Sequence, residues 1–233
     1  MDLLPARYTS CATTSLRFTV RVEAAWSRVE TWLRRYVPGS YELLRPAAAP
    51  ERIEEAERAL GVPFPPELRA LYLRHDGVRG ADLDEFGEQP LFSTGEDDPW
   101  HRRANAVDFM PNGQAWLPLE HVVNAHASPL SQYAGDESAR YVPVTASASH
   151  TMMSGTYLDL VTGLLGTWED AHELEPLGVG LAEWLEDGAA ALAETRPTRA
   201  LGMLPHLSPA GDGLGWFDPD PMYEQDGWRP LGS

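Results

Sequence analysis

The segment from Pro50 to Gly77 constrains the fold most strongly, because helix-forming runs alternate in it with residues that end helices. Its apolar residues recur at three- and four-residue spacing, which predicts two short helices. Gly61 ends the first helix, since glycine adopts the left-handed cap conformation without steric cost. The connection contains Pro63, Pro65 and Pro66, which exclude helix until it restarts at Pro66. The apolar positions are Ile53, Ala56, Leu60, Leu68, Leu71 and Tyr72. The pattern predicts a packing corner without catalytic chemistry.

The composition predicts a soluble protein without disulfide bonds. The chain has 233 residues, of which 43% are hydrophobic, and a core of that size needs neither metals nor disulfides. Its single cysteine, Cys11, excludes an internal disulfide and a cysteine-based zinc site. The N-terminus lacks the basic lead and apolar run of a signal peptide, and no window approaches the roughly 20 apolar residues of a membrane span. We therefore expect a soluble, cytoplasmic protein that does not bind membranes.

The net charge of -17 comes from 35 acidic residues and 18 basic residues, all of them arginine. Residues 1–36 hold six of the arginines and only three acidic residues, so the negative charge lies in the rest of the chain. Such a surface repels phosphate backbones, which argues against direct binding of nucleic acid. It attracts a basic protein partner, although an acidic surface is also typical of an ordinary soluble protein.

The densest group of carboxylates lies between Val78 and Trp100, where the hydrophobic period is lost. Their spacing does not match a calcium-binding loop, so the segment is either a solvated loop or a face for a basic partner. We predict partner binding here, with Trp100 as an apolar anchor, because aromatic residues dominate interface hot spots. The acidic candidates are Asp82, Asp84, Glu85, Glu88, Glu96, Asp97 and Asp98. A second acidic group after the predicted hairpin adds Glu169, Asp170 and Glu173.

Strand signals follow in the second half of the chain. Residues 156–170 alternate on both sides of Thr162-Gly163, which predicts a β-hairpin. Pro111-Asn112-Gly113 predicts a tight turn before a strand at residues 115–117. Residues 140–145 form another predicted strand, in which Pro143 argues for an edge or a bulge.

The helical periodicity divides the chain into three parts. Residues 1–22 are predicted to be a weakly ordered lead, in which Leu16–Val22 alternates and can form a strand. Residues 23–194 are predicted to form one domain, with its first helix at residues 23–36 and its last at 178–194. Residues 195–233 are a tail rich in proline and glycine. Its aromatic residues favour docking, on its own domain rather than on a partner, and they are Trp216, Phe217, Tyr223 and Trp228.

Catalytic and metal motifs are weak throughout the sequence. His121 and His126 are five residues apart, which does not match a helical zinc pair. Ser154 lacks the G-x-S-x-G setting of a nucleophile, and His150 stands in no recognisable triad order. Asp159 has no second carboxylate beside it, so a hydrogen-bonded structural role is favoured. We expect no cofactor and no enzymatic activity, with a hydrolase that uses Ser154, His150 or Asp159 as the weakest hypothesis.

The order of these elements resembles the SUKH superfamily, in its branch related to the yeast cell-wall assembly regulators. The segments on which the resemblance rests are the helix with Trp26 and Trp32, residues 51–77, WLPLEHV at 116–122, YVPV at 141–144, YLDLVTGLLGTWE at 157–169 and LAEWLE at 181–186. The resemblance covers residues 23–194 and leaves out the loop at 78–105 and the tail. It implies an α+β fold with N-terminal helices packed on a strongly twisted, mainly antiparallel sheet and a closing C-terminal helix.

The resemblance also implies a function. Many bacterial members look like immunity proteins, which bind and block a cognate toxin, often a nuclease, and the family offers no shared catalytic set. We therefore expect a non-enzymatic module that neutralises a cognate, basic, nuclease-type toxin domain. The alternative is a regulatory scaffold for an endogenous protein. The sequence leaves the oligomeric state open.

Overall fold

The computed structural model describes residues 8–81, 99–130, 134–147, 154–169, 174–220 and 227–232. The helices are α1 (Tyr8–Tyr36), α2 (Pro38–Glu42), α3 (Pro50–Leu60), α4 (Pro66–Arg74), α5 (Pro99–Val107), α6 (Leu119–Ala125) and α7 (Leu181–Glu194). One π-helical turn (His126–Leu130) and one 3₁₀ helix (Gly135–Arg140) follow α6. The strands are β1 (Ala115–Trp116), β2 (Tyr141–Ala146), β3 (Ser154–Asp159), β4 (Leu164–Glu169), β5 (Glu175–Gly180), β6 (Leu204–Leu207), β7 (Leu214–Phe217) and β8 (Arg229–Pro230).

The central sheet has five strands in the order β1-β2-β3-β4-β5, and every neighbouring pair is antiparallel. The N-terminal helices precede it, and α7 follows β5 and packs against α1. The predicted α+β class with a closing helix is therefore confirmed. The predicted hairpin is β3–β4, and its turn is closed by a 2.8 Å hydrogen bond from the Gly163 amide to the Asp159 carbonyl.

The helix–turn–helix corner also forms as predicted. α3 begins at Pro50, and Gly61 caps it in the left-handed conformation with φ of 74°. α4 begins at Pro66. All six predicted apolar positions are buried, because the proline and glycine punctuation sets where each helix starts and how its stripe faces the core.

The prediction of a strand at Leu16–Val22 is wrong, since α1 is a continuous helix from Tyr8. In the part of α1 that packs on α4 and α7, Val22, Trp26, Val29 and Leu33 are buried at helical spacing. The bidentate pair between Arg21 and Glu186 adds a polar contact to α7. These contacts override the local alternation, because short apolar runs suit either element and tertiary packing decides between them.

Pro143 lies at a bulge, as its position predicted. The register between β2 and β3 shifts between Pro143 and Thr145. Proline donates no ladder hydrogen bond, so a bulge allows it in a strand that has neighbours on both sides.

The C-terminal residues contain a second sheet, with strand order β7-β6-β8, which the sequence analysis did not predict. Its strands have only two to four residues, too few to show a period. Leu214 and Trp216 are buried in the main core, and the Trp216 indole donates a 2.8 Å hydrogen bond to the Phe109 carbonyl. Docking of the tail on its own domain is thereby confirmed.

The centre of the core is an aromatic cluster shared by helices and sheet. The ring of Trp116 on β1 lies 4.9 Å from that of Trp26 on α1 and 5.7 Å from that of Tyr72 on α4. The Tyr72 hydroxyl donates to the Leu117 carbonyl at 3.0 Å, and burial raises the pKa of Tyr72 well above its usual range. In the part of the chain that the structure describes, no helix is both long and apolar enough to cross a bilayer.

Candidate protein-interaction surfaces

Two of the eleven predicted contact residues lie within the described residues. Trp100 is the second residue of α5 and is half-buried, and Glu169 is exposed at the end of β4, opposite Ser154. The other nine lie outside the described residues, so their prediction remains untested. They are Asp82, Asp84, Glu85, Glu88, Glu96, Asp97, Asp98, Asp170 and Glu173.

The framework on either side of residues 82–98 is anchored in the domain. Before it, the Val78 amide donates to the Trp116 carbonyl at 3.1 Å, the Arg79 amide donates to the Leu43 carbonyl at 2.9 Å, and Ala81 is buried. After it, α5 begins at Pro99 and packs against α2 and β7. The described residues on both sides of 82–98 are therefore held in place by the domain.

The negative charge of the protein is concentrated in that segment. Residues 82–98 contain seven acidic residues and no basic residue, so they carry -7 of the net charge of -17. A basic partner that is attracted by negative charge would therefore meet the highest density of charge along the sequence at residues 82–98.

Many carboxylates of the described residues are engaged with arginine. The buried Glu30 accepts from Arg74 at 2.7 Å and from Arg34 at 3.4 Å. Glu120 accepts from both Arg45 and Arg52. Further pairs are Arg21–Glu186, Arg69–Glu57, Arg102–Asp212, Arg140–Asp159 and Arg196–Asp187. Such carboxylates stabilise the fold and are poorly suited to a new cationic partner, because an arginine would have to be displaced.

The outer side of α3 is an exception among the described residues. Glu51, Glu54 and Glu55 are exposed there, and none of the three enters an ion pair with another described residue. We call these three residues the α3 acidic face. It provides a matched comparison for residues 82–98, since both segments are acidic and both belong to the N-terminal half of the chain.

Asp159, the candidate catalytic acid, is occupied in closing the β3–β4 turn. Its carboxylate accepts two hydrogen bonds from Arg140, at 2.6 and 2.5 Å, and others from the Val161 amide at 2.9 Å and the Thr162 hydroxyl at 2.7 Å. The bonds from Arg140 hold the pKa of the Asp159 carboxyl well below its usual range. This geometry fits the structural role predicted for Asp159.

The remaining catalytic and metal candidates form no reactive group in the described chain. The Ser154 carbonyl accepts a hydrogen bond from the Ser147 amide at 2.9 Å, as part of the sheet, and His150 lies outside the described residues. His126 Nε2 contacts the Ser138 carbonyl at 2.9 Å. Within the described ranges, no three His, Cys, Asp or Glu side chains are gathered to hold a metal ion.

A groove between α1 and α4, lined by both apolar and polar side chains, is a second surface that was not predicted from the sequence. It has a volume of about 510 Å³ and its floor includes Trp26 and Leu71. At its rim Val20 is 60% exposed and Leu73 is 47% exposed. The sequence did contain a signal for this surface. Val20 and Leu73 are apolar, but they lie outside the helical stripes that predicted the core.

The family comparison agrees with the observed fold. Residues 47–142 match the model of the SMI1 / KNR4 family (SUKH-1). This part of the chain is similar to a SUKH-1 domain. The predicted resemblance is confirmed, although the match is narrower than residues 23–194 and includes the loop at 78–105 that we had placed outside the pattern. No curated protein matches this chain.

The matched part of the chain starts in the connection before α3 and ends at Val142 in β2. It therefore contains the packing corner, residues 82–98, α5 and α6. The family is generally of a non-enzymatic, protein-binding type with immunity or regulatory roles.

Proposed function

We propose that this chain is an immunity protein that binds and neutralises a cognate, basic toxin domain of the nuclease type. The single observation that carries the proposal is that the matched family segment contains the strongest concentration of negative charge in the chain, at residues 82–98. A nuclease that grips a phosphate backbone needs a basic groove, and a run of carboxylates is complementary to such a groove.

The composition of residues 82–98 supports this placement. Described acidic side chains such as Glu30, Glu57 and Asp187 hold arginines within the fold. Residues 82–98 contain no arginine of their own. Complementary charge of this kind raises association rates to about 10⁸–10⁹ M⁻¹s⁻¹ at low salt, which suits a protein that must intercept a toxin before it acts.

Trp100 supplies the apolar part of the proposed contact. It lies two residues after the acidic segment, is half-buried on α5 and is held on an element that packs into the domain. An aromatic side chain on a rigid element loses little conformational freedom on binding, and such residues dominate interface energies. Glu169, Asp170 and Glu173 form the secondary contact in this proposal.

The alternative is a regulatory scaffold that binds an endogenous protein, which the same family also accommodates. The aromatic tail motivated it in the sequence, but the three described aromatic residues of the tail make contacts within the protein, and Tyr223 lies outside the described residues. Trp216 is buried, and the Phe217 ring lies 5.0 Å from that of Trp228 and 5.3 Å from that of His206. With that motivation removed, immunity is the better-supported function.

The test is co-expression with the toxin domain, if one is encoded immediately upstream of this chain. We expect the protein to restore growth of cells that produce the toxin and to co-purify with it. If it neither restores growth nor co-purifies, the immunity function is wrong. A pull-down that recovers one endogenous protein reproducibly from cells that lack any toxin gene would support the scaffold function instead.

A further inference from the structure

A pocket with three arginines lies where α2, α5 and the C-terminal sheet meet. It has a volume of about 340 Å³ and is separate from the α1–α4 groove. Among the described residues, three guanidinium groups line it together with two carboxylates. The lining side chains are Glu42, Leu43, Arg79, Arg102, Arg103, Ala106 and Asp212.

The walls of the pocket are fixed by backbone contacts. The Ser40 amide donates to the Asp212 carbonyl at 3.2 Å, and the Leu214 amide donates to the Ser40 hydroxyl at 3.1 Å. Gly39 packs so closely that a Cβ atom there would lie 2.7 Å from the Asp212 carbonyl oxygen. Segments that are distant in sequence are thus held at set positions by contacts within the protein, and a preformed site of this kind lowers the ordering cost of binding.

Two arginines in this pocket, Arg79 and Arg102, keep donor capacity for a ligand. Arg79 donates from Nη2 to the Glu42 backbone carbonyl at 2.5 Å, and Arg102 donates from Nη2 to Asp212 at 3.0 Å. A guanidinium carries five N–H donors and no acceptor, so neither contact exhausts its side chain. Arg79, Arg102 and Arg103 are all exposed at the pocket mouth, where an incoming oxyanion can reach them.

We propose that this pocket binds a small ligand that carries an oxyanion, either a phosphoryl or a carboxylate group, on a short apolar stem. Planar guanidinium groups match both oxyanions by paired N–H donors. The buried Leu43 and Ala106 offer an apolar floor for the stem. The volume is at the lower end of the range for small-molecule sites. The proposal goes beyond the proposed function, although α5 contributes both to this pocket and to the proposed toxin contact.

The test is titration of the full-length protein with ethyl phosphate and, separately, with propionate, followed by the NMR resonances of the arginine Nε–H groups. We expect saturable shifts for Arg79, Arg102 and Arg103 in the millimolar range with at least one probe. If only ethyl phosphate gives saturable shifts, the ligand class is a phosphate ester. If only propionate gives them, the ligand class is a carboxylate. An absence of saturable shifts at these three residues with both probes overturns the proposal, whatever the variants show.

Paired variants locate the site. R79Q/R103Q should weaken probe binding by about tenfold or more, because two charge-assisted contacts are lost. R35Q/R58Q changes the net charge equally at exposed positions on α1 and α3 and should leave affinity within about twofold. Equal weakening in both variants would mean that the probe responds to net charge alone and would overturn the pocket assignment. Unfolding midpoints confirm that each variant is folded.

Discussion

Replacing Trp216 with alanine tests whether the C-terminal strands belong to the structural core. The Trp216 side chain is 1% exposed, and its indole N–H donates to the Phe109 carbonyl at 2.8 Å. A buried tryptophan removes about 150–250 Å² from water, which at about 25 cal/mol per Å² corresponds to about 4–6 kcal/mol as an upper bound. Measured truncations of this kind cost about 3–5 kcal/mol, and we expect the free energy of unfolding to fall by that amount.

The assay is urea denaturation followed by far-ultraviolet circular dichroism. The matched control is Trp216→Phe, which keeps most of the apolar surface but removes the donor to Phe109, and should cost about 1–3 kcal/mol. Surface substitutions typically change the free energy of unfolding by no more than about 0.5 kcal/mol. If the free energy of unfolding of W216A lies within that range of the wild-type value, the C-terminal strands do not contribute to the core and the reasoning is refuted.

Three further predictions concern the packing corner and the hairpin. Leu71→Ala should lower the free energy of unfolding by about 2–5 kcal/mol, whereas Leu73→Ala, on the same helix but 47% exposed, should lower it by less than about 1 kcal/mol. Gly61→Ala should cost about 1–2 kcal/mol, because φ is 74° but a Cβ has open space. Gly77→Ala should cost more, because φ is 68° and a Cβ would also collide with the backbone leading into α6. Asp159→Asn should lower stability at pH 7 by about 1.5–3 kcal/mol, and urea unfolding at a series of pH values should show that difference shrinking in acid.

The direction of the pH effect follows from the lowered pKa of Asp159. A carboxyl whose folded-state pKa is depressed stabilises the fold above its unfolded pKa of about 4 and loses that contribution as the pH falls further. A difference between wild type and D159N that stays constant from pH 7 to pH 2 would contradict the role given to Asp159. If the two leucine variants lost equal amounts of unfolding free energy, or if the two glycine variants did, the packing described for the corner would be contradicted.

Local signals with fixed backbone consequences made the corner predictable. Proline restricts its own φ and the residue before it, and glycine opens the left-handed region, so Pro50, Gly61 and Pro66 marked the helix ends within one residue. The β3–β4 hairpin was equally visible, because alternation on both sides of Thr162-Gly163 sets the pairing.

Elements that depend on distant contacts were not predictable. Helix α5 has only nine residues, and it is held by contacts to α2 and β7 from distant parts of the sequence. The C-terminal strands are too short for any period. The first half of α1 has an alternating pattern that suits a strand, and only packing against α4 and α7 selects the helix.

For the candidate site, only its acidic composition was predictable from the sequence. Counting carboxylates identifies residues 82–98 and the group after β4. Counting does not separate carboxylates that hold arginine within the fold, such as Glu30 and Asp187, from those on an open face such as Glu51. The arginine pocket left no local signal, since its lining residues extend from Gly39 to Asp212.

The central claim is that residues 82–98 carry the contact with a basic toxin domain. The most direct measurement compares association rate constants for that domain at low salt, using D82N/D84N/E85Q and the matched α3-face variant E51Q/E54Q/E55Q. Each removes three carboxylates, so the net charge is equal. We predict that the first variant associates at least about tenfold more slowly than the wild type, and that the second stays within about twofold of it. Equal slowing in both variants, or none in the first, would contradict the claim.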